Sequence, residues 1–166
     1  MSGESREPPS SGWWRVAEQS AGVLPEGGRL HVRVAGRFVT VFRVKGRLSA
    51  IDSICHHAGG PLTLGSLQDI EDLGVTVVLC PWHKFMVDVN KGTNAYQSLE
   101  MVGGKLTKTG WKSGKMVQRS HAVMEDGQGS LLVRLELSGE CSSDGDASSV
   151  RCARDIPLHD YEPVVI

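Results

Sequence analysis

The 166-residue chain is 40% hydrophobic and 22% charged, with a formal net charge of −1. That suits one folded domain with tails. It excludes a general nucleic-acid binder, which needs a basic excess. No apolar run is long enough to cross a bilayer. The first dozen residues, with Glu4, Glu7, Pro8 and Pro9, have neither the apolar centre of a signal peptide nor the acid-free character of a transit segment. The expected partners therefore include no nucleic acid and no membrane span, and the expected location is cytoplasmic.

Residues 1–12 are rich in Ser, Gly, Pro and Glu and read as a disordered leader. From Trp13 to Leu137 the pattern is one of short strands rich in Val, Leu and aromatic residues, broken by glycine turns, with no helical period. Strands are predicted at 13–17, 29–34 and 37–44. Lys45-Gly46 turns the third into a strand at 48–54, which delivers Cys55. A strand at 75–79 delivers Cys80, and Phe85, Val87 and Val89 alternate with polar neighbours up to the turn signal Asn90-Lys91-Gly92, before a return strand at 93–96. Residues 98–115, rich in Gly, Lys and Thr, read as an irregular connection, and 116–123 with 131–137 as a closing pair turned by Glu125-Asp126-Gly127. The Ser/Gly/Asp-rich tail 138–166 reads as weakly ordered.

Two short stretches stand apart. Cys55-His56-His57 and Cys80-Pro81-Trp82-His83 give Cys-x-His, a 22-residue interval and Cys-x-x-His. Mixed thiolate and imidazole sets suit zinc or iron-sulfur chemistry and fit calcium or magnesium poorly. Zinc fingers usually pair Cys with Cys and His with His. Here each unit supplies one of each, as a two-iron cluster with two thiolates on one iron and two imidazoles on the other requires.

On these residues the chain resembles the Rieske family, with Cys55, His57, Cys80 and His83 at the four ligand positions, Ile51-Asp52 before the first loop, Gly59-Gly60-Pro61-Leu62 after it, and Pro81-Trp82 inside the second. The resemblance covers residues 13–137 and is strongest to the small, stand-alone, ferredoxin-like animal members. It implies an all-β fold: an antiparallel β-sandwich or barrel base carrying a small inserted cluster-binding β lobe, about residues 55–97. It implies one Rieske-type 2Fe-2S cluster as cofactor, metal-bound through Cys55, His57, Cys80 and His83. The distal nitrogens of His57 and His83 would face solvent as the electron exit.

The same resemblance implies a soluble, monomeric electron carrier, and no enzyme, that takes single electrons from a reductase and gives them to an oxygenase or other acceptor. A cluster-dependent sensor and a non-catalytic subunit of a larger reductase are the alternatives. No second iron site is expected, because only His159 and Asp160 remain in a short tail. His31 and His121 read as packed or surface residues, and His56 as a solvated loop histidine. The disulfide of the membrane-anchored members cannot form, since Gly60 or its neighbours and Trp82 occupy its places. Phe85 and Val87 stand where high-potential members place hydroxyl donors to sulfur, which implies a potential toward the low end of a range of about −150 to +300 mV. Lys84 stands where Gly is usual, implying a loop that tolerates a Cβ or mild strain. Lys105, Lys108, Lys112, Lys115 and Arg119 form a basic stretch, Cys141 and Cys152 read as free thiols, and Trp82 as a shield over the cluster.

Overall fold

The computed structural model describes residues 12–166; the leader assigned to 1–12 lies, but for Gly12, outside the described residues. Twelve strands follow in chain order: β1 (Trp13–Ala17), β2 (Arg29–Val34), β3 (Arg37–Val44), β4 (Arg47–Asp52), β5 (Ser66–Ile70), β6 (Val75–Leu79), β7 (Met86–Asp88), β8 (Thr93–Val102), β9 (Lys105–Met116), β10 (Ser120–Glu125), β11 (Leu131–Arg134) and β12 (Val164–Val165). Two single-turn helices accompany them, α1 (Ser20–Val23) and α2 (Val150–Ala153).

The strands form two antiparallel sheets. The base has the order β12-β1-β11-β10-β4-β3-β2 and the lobe the order β5-β6-β7-β8-β9, and the base curls until β1 approaches β2. The architecture is therefore the all-β base and inserted lobe that the resemblance implied. Inside the base, Trp14, Val16, Leu30, Val32, Val39, Val41, Leu131 and Val133 form one apolar cluster, supplied by alternate inward positions of β-branched strands. A second cluster joins base to lobe: Phe42 and Ile51 meet Leu62, Val78, Val87 and Val89, with Cys55 and Cys80 among them. The two thiols thus sit at the apolar seam between the sheets.

Two expectations are corrected. Residues 98–115 are no irregular connection: β8 and β9 pair from Thr93↔Met116 to Val102↔Lys105, with irregularities at two points, so the lobe sheet runs from Ser66 to Met116 instead of closing near residue 97. Gly and Lys hid this ribbon because most of its side chains face solvent on both sides and leave no burial period to read. The tail is also folded onto the base. Ala153 and Ile156 pack with Phe38 and Ile54, Phe38 N–H donates to Ala147 O at 2.8 Å and His159 N–H to His31 O at 2.8 Å, and β12 pairs with β1.

A buried polar cluster ties that tail to the strand entering the first cysteine loop. Arg37 donates to both Asp52 oxygens, at 2.7 and 2.6 Å, and His121 Nε2 and Ser143 Oγ reach the same carboxylate at 2.8 and 2.5 Å. Burial opposes the Asp52 charge, but these hydrogen bonds outweigh it and hold the carboxyl below its ordinary pKa. Glu136 N–H donates to His121 Nδ1 at 3.1 Å, which leaves the ring proton on Nε2 to face Asp52. Arg119 grips Asp144 with Nε and Nη2, at 2.5 and 2.8 Å. It is therefore buried in the tail network and is no part of the basic stretch.

Candidate metal centre

The two cysteine loops are built alike. Cys55 N–H donates to Gly60 O at 2.8 Å and Gly59 N–H to Cys55 O at 2.9 Å; Cys80 N–H donates to Phe85 O at 2.8 Å and Lys84 N–H to Cys80 O at 2.8 Å. Each loop therefore closes from its cysteine to the residues four and five positions on. The fourth residue is left-handed in both, with φ of 78° at Gly59 and 57° at Lys84. Gly adopts this conformation freely, whereas a side chain there costs about 1–2 kcal/mol. The strain that Lys84 implied is present, and the loop holds it with paired backbone bonds at both ends.

These loops bring the four motif residues together in two pairs. The thiols of Cys55 and Cys80 lie together in one apolar cluster. Both cysteines are buried, while His57 and His83 are exposed, their rings edge to face with centroids 4.9 Å apart. The neighbouring Cys55 thiol draws the Cys80 pKa down, against burial and with help from the Trp82 and His83 backbone. The Cys80 thiol, and then burial, pushes Cys55 up. Metal ligation removes the protons of such thiols. Among the described residues no three His, Cys, Asp or Glu side chains converge as on one metal ion. A two-sulfur, two-nitrogen pairing fits two irons better than one zinc.

The space beside the sulfurs is kept open by glycine. A Cβ on Gly60 would overlap Cys80 Sγ and lie 3.2 Å from the Trp82 ring. Trp82 is 56% exposed, so it covers the glycine side of the pair and shows its outer face to solvent. Phe85 stacks on His57 at 5.3 Å and Val87 is fully buried, so neither offers a hydroxyl to the sulfurs.

Two residues behave otherwise than their sequence positions suggested. His56 is half-buried, edge-on to Phe85 at 4.7 Å, and burial lowers its pKa. Gln118 was missed altogether. Fully buried, it donates from Nε2 to Asp52 O at 3.0 Å and to Ile54 O, and accepts from His56 N–H at 3.0 Å. A single amide thus straps three alternate backbone groups of the first loop. Its own N–H is bonded to Gly92 O at 3.1 Å, which anchors the strap to the turn after β7. Only a rich hydrogen-bonding side chain between two strands hinted at this in the sequence.

The remaining thiols lie in the tail. Cys141 and Cys152 are free; Cys152 Sγ would lie 3.0 Å from a Cβ on Gly59, against the back of the first loop.

Two antiparallel sheets with paired Cys-His loops at one end of their seam define a Rieske-type protein, and the comparisons with known proteins agree. The model of the soluble Rieske-type ferredoxins matches residues 23–137, and the chain belongs to that family. A human Rieske domain-containing protein is 31% identical over 145 residues, 87% of this chain and 90% of its own. The ferredoxin component of a naphthalene 1,2-dioxygenase/salicylate 5-hydroxylase system from Ralstonia sp. is 30% identical over 69 residues, 42% of this chain and 61% of the relative. Among solved structures, the ferredoxin of carbazole 1,9a-dioxygenase from Nocardioides aromaticivorans superposes with a TM-score of 0.52 at 26% identity, covering 74% of this chain and 96% of that one. The cofactor of the family, and of this chain, is a Rieske 2Fe-2S cluster. No helix among the described residues is long and apolar enough to cross a membrane.

Proposed function

We propose that Cys55 and Cys80 bind one iron of the cluster and His57 and His83 the other, and that this chain passes single electrons from a reductase to an oxygenase or another acceptor. The observation that carries the reading is the depth ordering of the four residues: buried thiols behind, exposed imidazoles in front. When bound, the cluster supplies one-electron chemistry with no open coordination position. Cys55 and Cys80 hold it at the dry seam. His57 and His83, exposed in front of the buried thiols, carry the path outward.

The protein's other residues tune and hold. Gln118 fixes the first loop and Gly60 keeps the sulfur side open. Phe85 and Val87 withhold hydrogen bonds that would favour the reduced cluster, which sets a low potential. Its relatives in dioxygenase systems are ferredoxins, and the same task here needs no substrate site on this chain, which acts as a cytoplasmic monomer. The test is turnover between two proteins. A dioxygenase-type ferredoxin reductase in catalytic amount, with NADH, should bleach the visible band, and added cytochrome c should restore it through many cycles per chain. A protein that dithionite reduces but that passes no electrons onward would remove the carrier reading and favour a sensor.

A further inference from the structure

The β8–β9 ribbon outgrows the sheet that carries it. Its neighbour β7 pairs only with Asn94 and Ala95, so from Leu99 to Lys108 the ribbon is two-stranded, with Met101 opposite Leu106 and Val102 opposite Lys105 at its end. Four aliphatic side chains stand in water there: Leu99 is 56% exposed, Met101 68%, Val102 55% and Leu106 66%. Residues opposite one another share a face and successive residues alternate. Leu99, Met101 and Leu106 therefore project on one face and Val102 on the other.

Charge on the ribbon is one-sided. Residues 97–116 contain Lys105, Lys108, Lys112 and Lys115 against the single acid Glu100. Lysines protect an edge strand from unwanted pairing, which accounts for the cations but not for the aliphatic tip. A flat protein surface would cover one face of the tip and leave the other wet. Immersion in the hydrocarbon boundary of a bilayer covers both, while Lys108, about 10 Å behind Lys105 along the strand, and Lys112 behind it reach anionic headgroups.

We propose that this ribbon docks the protein on anionic membrane surfaces, with Leu99, Met101, Val102 and Leu106 entering the interface and the lysines reading lipid phosphate and carboxylate. The ribbon shares a cavity of about 340 Å³ with the second cysteine loop, lined by His83, Lys84, Phe85, Leu99, Lys108 and Trp111 among others. Docking there sets the exposed His83 loop on the membrane side, where a membrane-bound redox partner would meet it. That orientation rests on the function proposed above; the docking itself does not.

The experiment is co-sedimentation of the full-length, cluster-loaded protein with phosphatidylcholine vesicles, with and without about 30% phosphatidylserine. Wild type should sediment with the anionic vesicles and stay in solution with the neutral ones. M101S/L106S, altered only at exposed positions, should bind at least ten-fold more weakly at unchanged charge, with its visible spectrum and melting temperature intact. K105Q/K108Q/K112Q should lose the preference for the anionic vesicles to a similar degree. Wild-type protein remaining in solution with both vesicles would overturn the proposal and turn attention to a protein partner. Binding by M101S/L106S equal to wild type would overturn the inserted tip. Either failure leaves electron transfer with soluble partners intact, so the two readings are separable.

Discussion

Replacing Gln118 by Met is the sharpest probe of how the first loop is held. Met fills nearly the same volume, so the change leaves little cavity and isolates the hydrogen bonds. It removes three, to Asp52 O, Ile54 O and His56 N–H, from a side chain with no exposure. Each buried polar group left unpaired costs about 1–3 kcal/mol, and relaxation of the loop recovers part of that. A net loss of about 3 kcal/mol follows. For a chain of this size it lowers the melting midpoint by roughly 6–12 °C. Because loss of the cofactor makes melting irreversible, wild type and Q118M should be compared at one scan rate, by circular dichroism together with the visible band. The visible band should decay first in the variant, since the strap acts on the loop that carries Cys55 and His57. A midpoint within about 2 °C of wild type, with unchanged cluster loss, would refute the strap.

Gly60→Ala places a methyl group onto Cys80 Sγ; the overpacking costs about 1–3 kcal/mol, and iron and sulfide counts per chain should fall well below wild type while the base stays folded by far-ultraviolet circular dichroism. Lys84→Val puts a β-branched residue at φ 57° and should destabilise by about 1–2 kcal/mol in urea titrations, whereas Lys84→Gly should be neutral or stabilising. Burial lowers the His31 pKa to about 4, so the folded state keeps the ring neutral where the unfolded chain protonates it near 6.5. Its contribution is fully present above pH 6.5 and is lost as pH falls toward 4. The full loss amounts to about 3 kcal/mol, of which about 2 kcal/mol falls between pH 7 and pH 5, and His31→Gln should flatten that slope in urea titrations at the two pH values. Asp52→Asn should cost about 1–3 kcal/mol, because it removes the charge on which Arg37, His121 and Ser143 converge while Arg37 keeps its ion pair with Asp144; equal urea midpoints for the two proteins would contradict this.

What could be read from the sequence follows what buries in a regular way. Val39, Val41 and their neighbours in β1–β4, and Val77 and Val78 in β6, pack against a sheet partner, so their pattern marks strands with bounds close to those observed. The cysteine loops were legible because ligand chemistry imposes residue type and spacing together, and Lys84 was legible as a departure because φ there is positive. The ribbon after Tyr96 has no buried face to impose a period. The tail is held by polar long-range bonds, Asp144 to Arg119 and Arg37 and Ser143 to Asp52, and such pairings 24 or more residues apart leave no local pattern. Gln118 belongs to the same class: its role depends on meeting residues 52–56 across the fold.

The most direct test of the ligand assignment is electron paramagnetic resonance on dithionite-reduced protein, with iron, sulfide and zinc counted in the same sample. The account predicts two irons and two sulfides per chain and the low average g value of a cluster whose one iron carries two histidines. It predicts further that His83→Cys shifts that signal toward an all-cysteine cluster. A protein holding zinc and no sulfide, or an all-cysteine signal in the wild type, would contradict it.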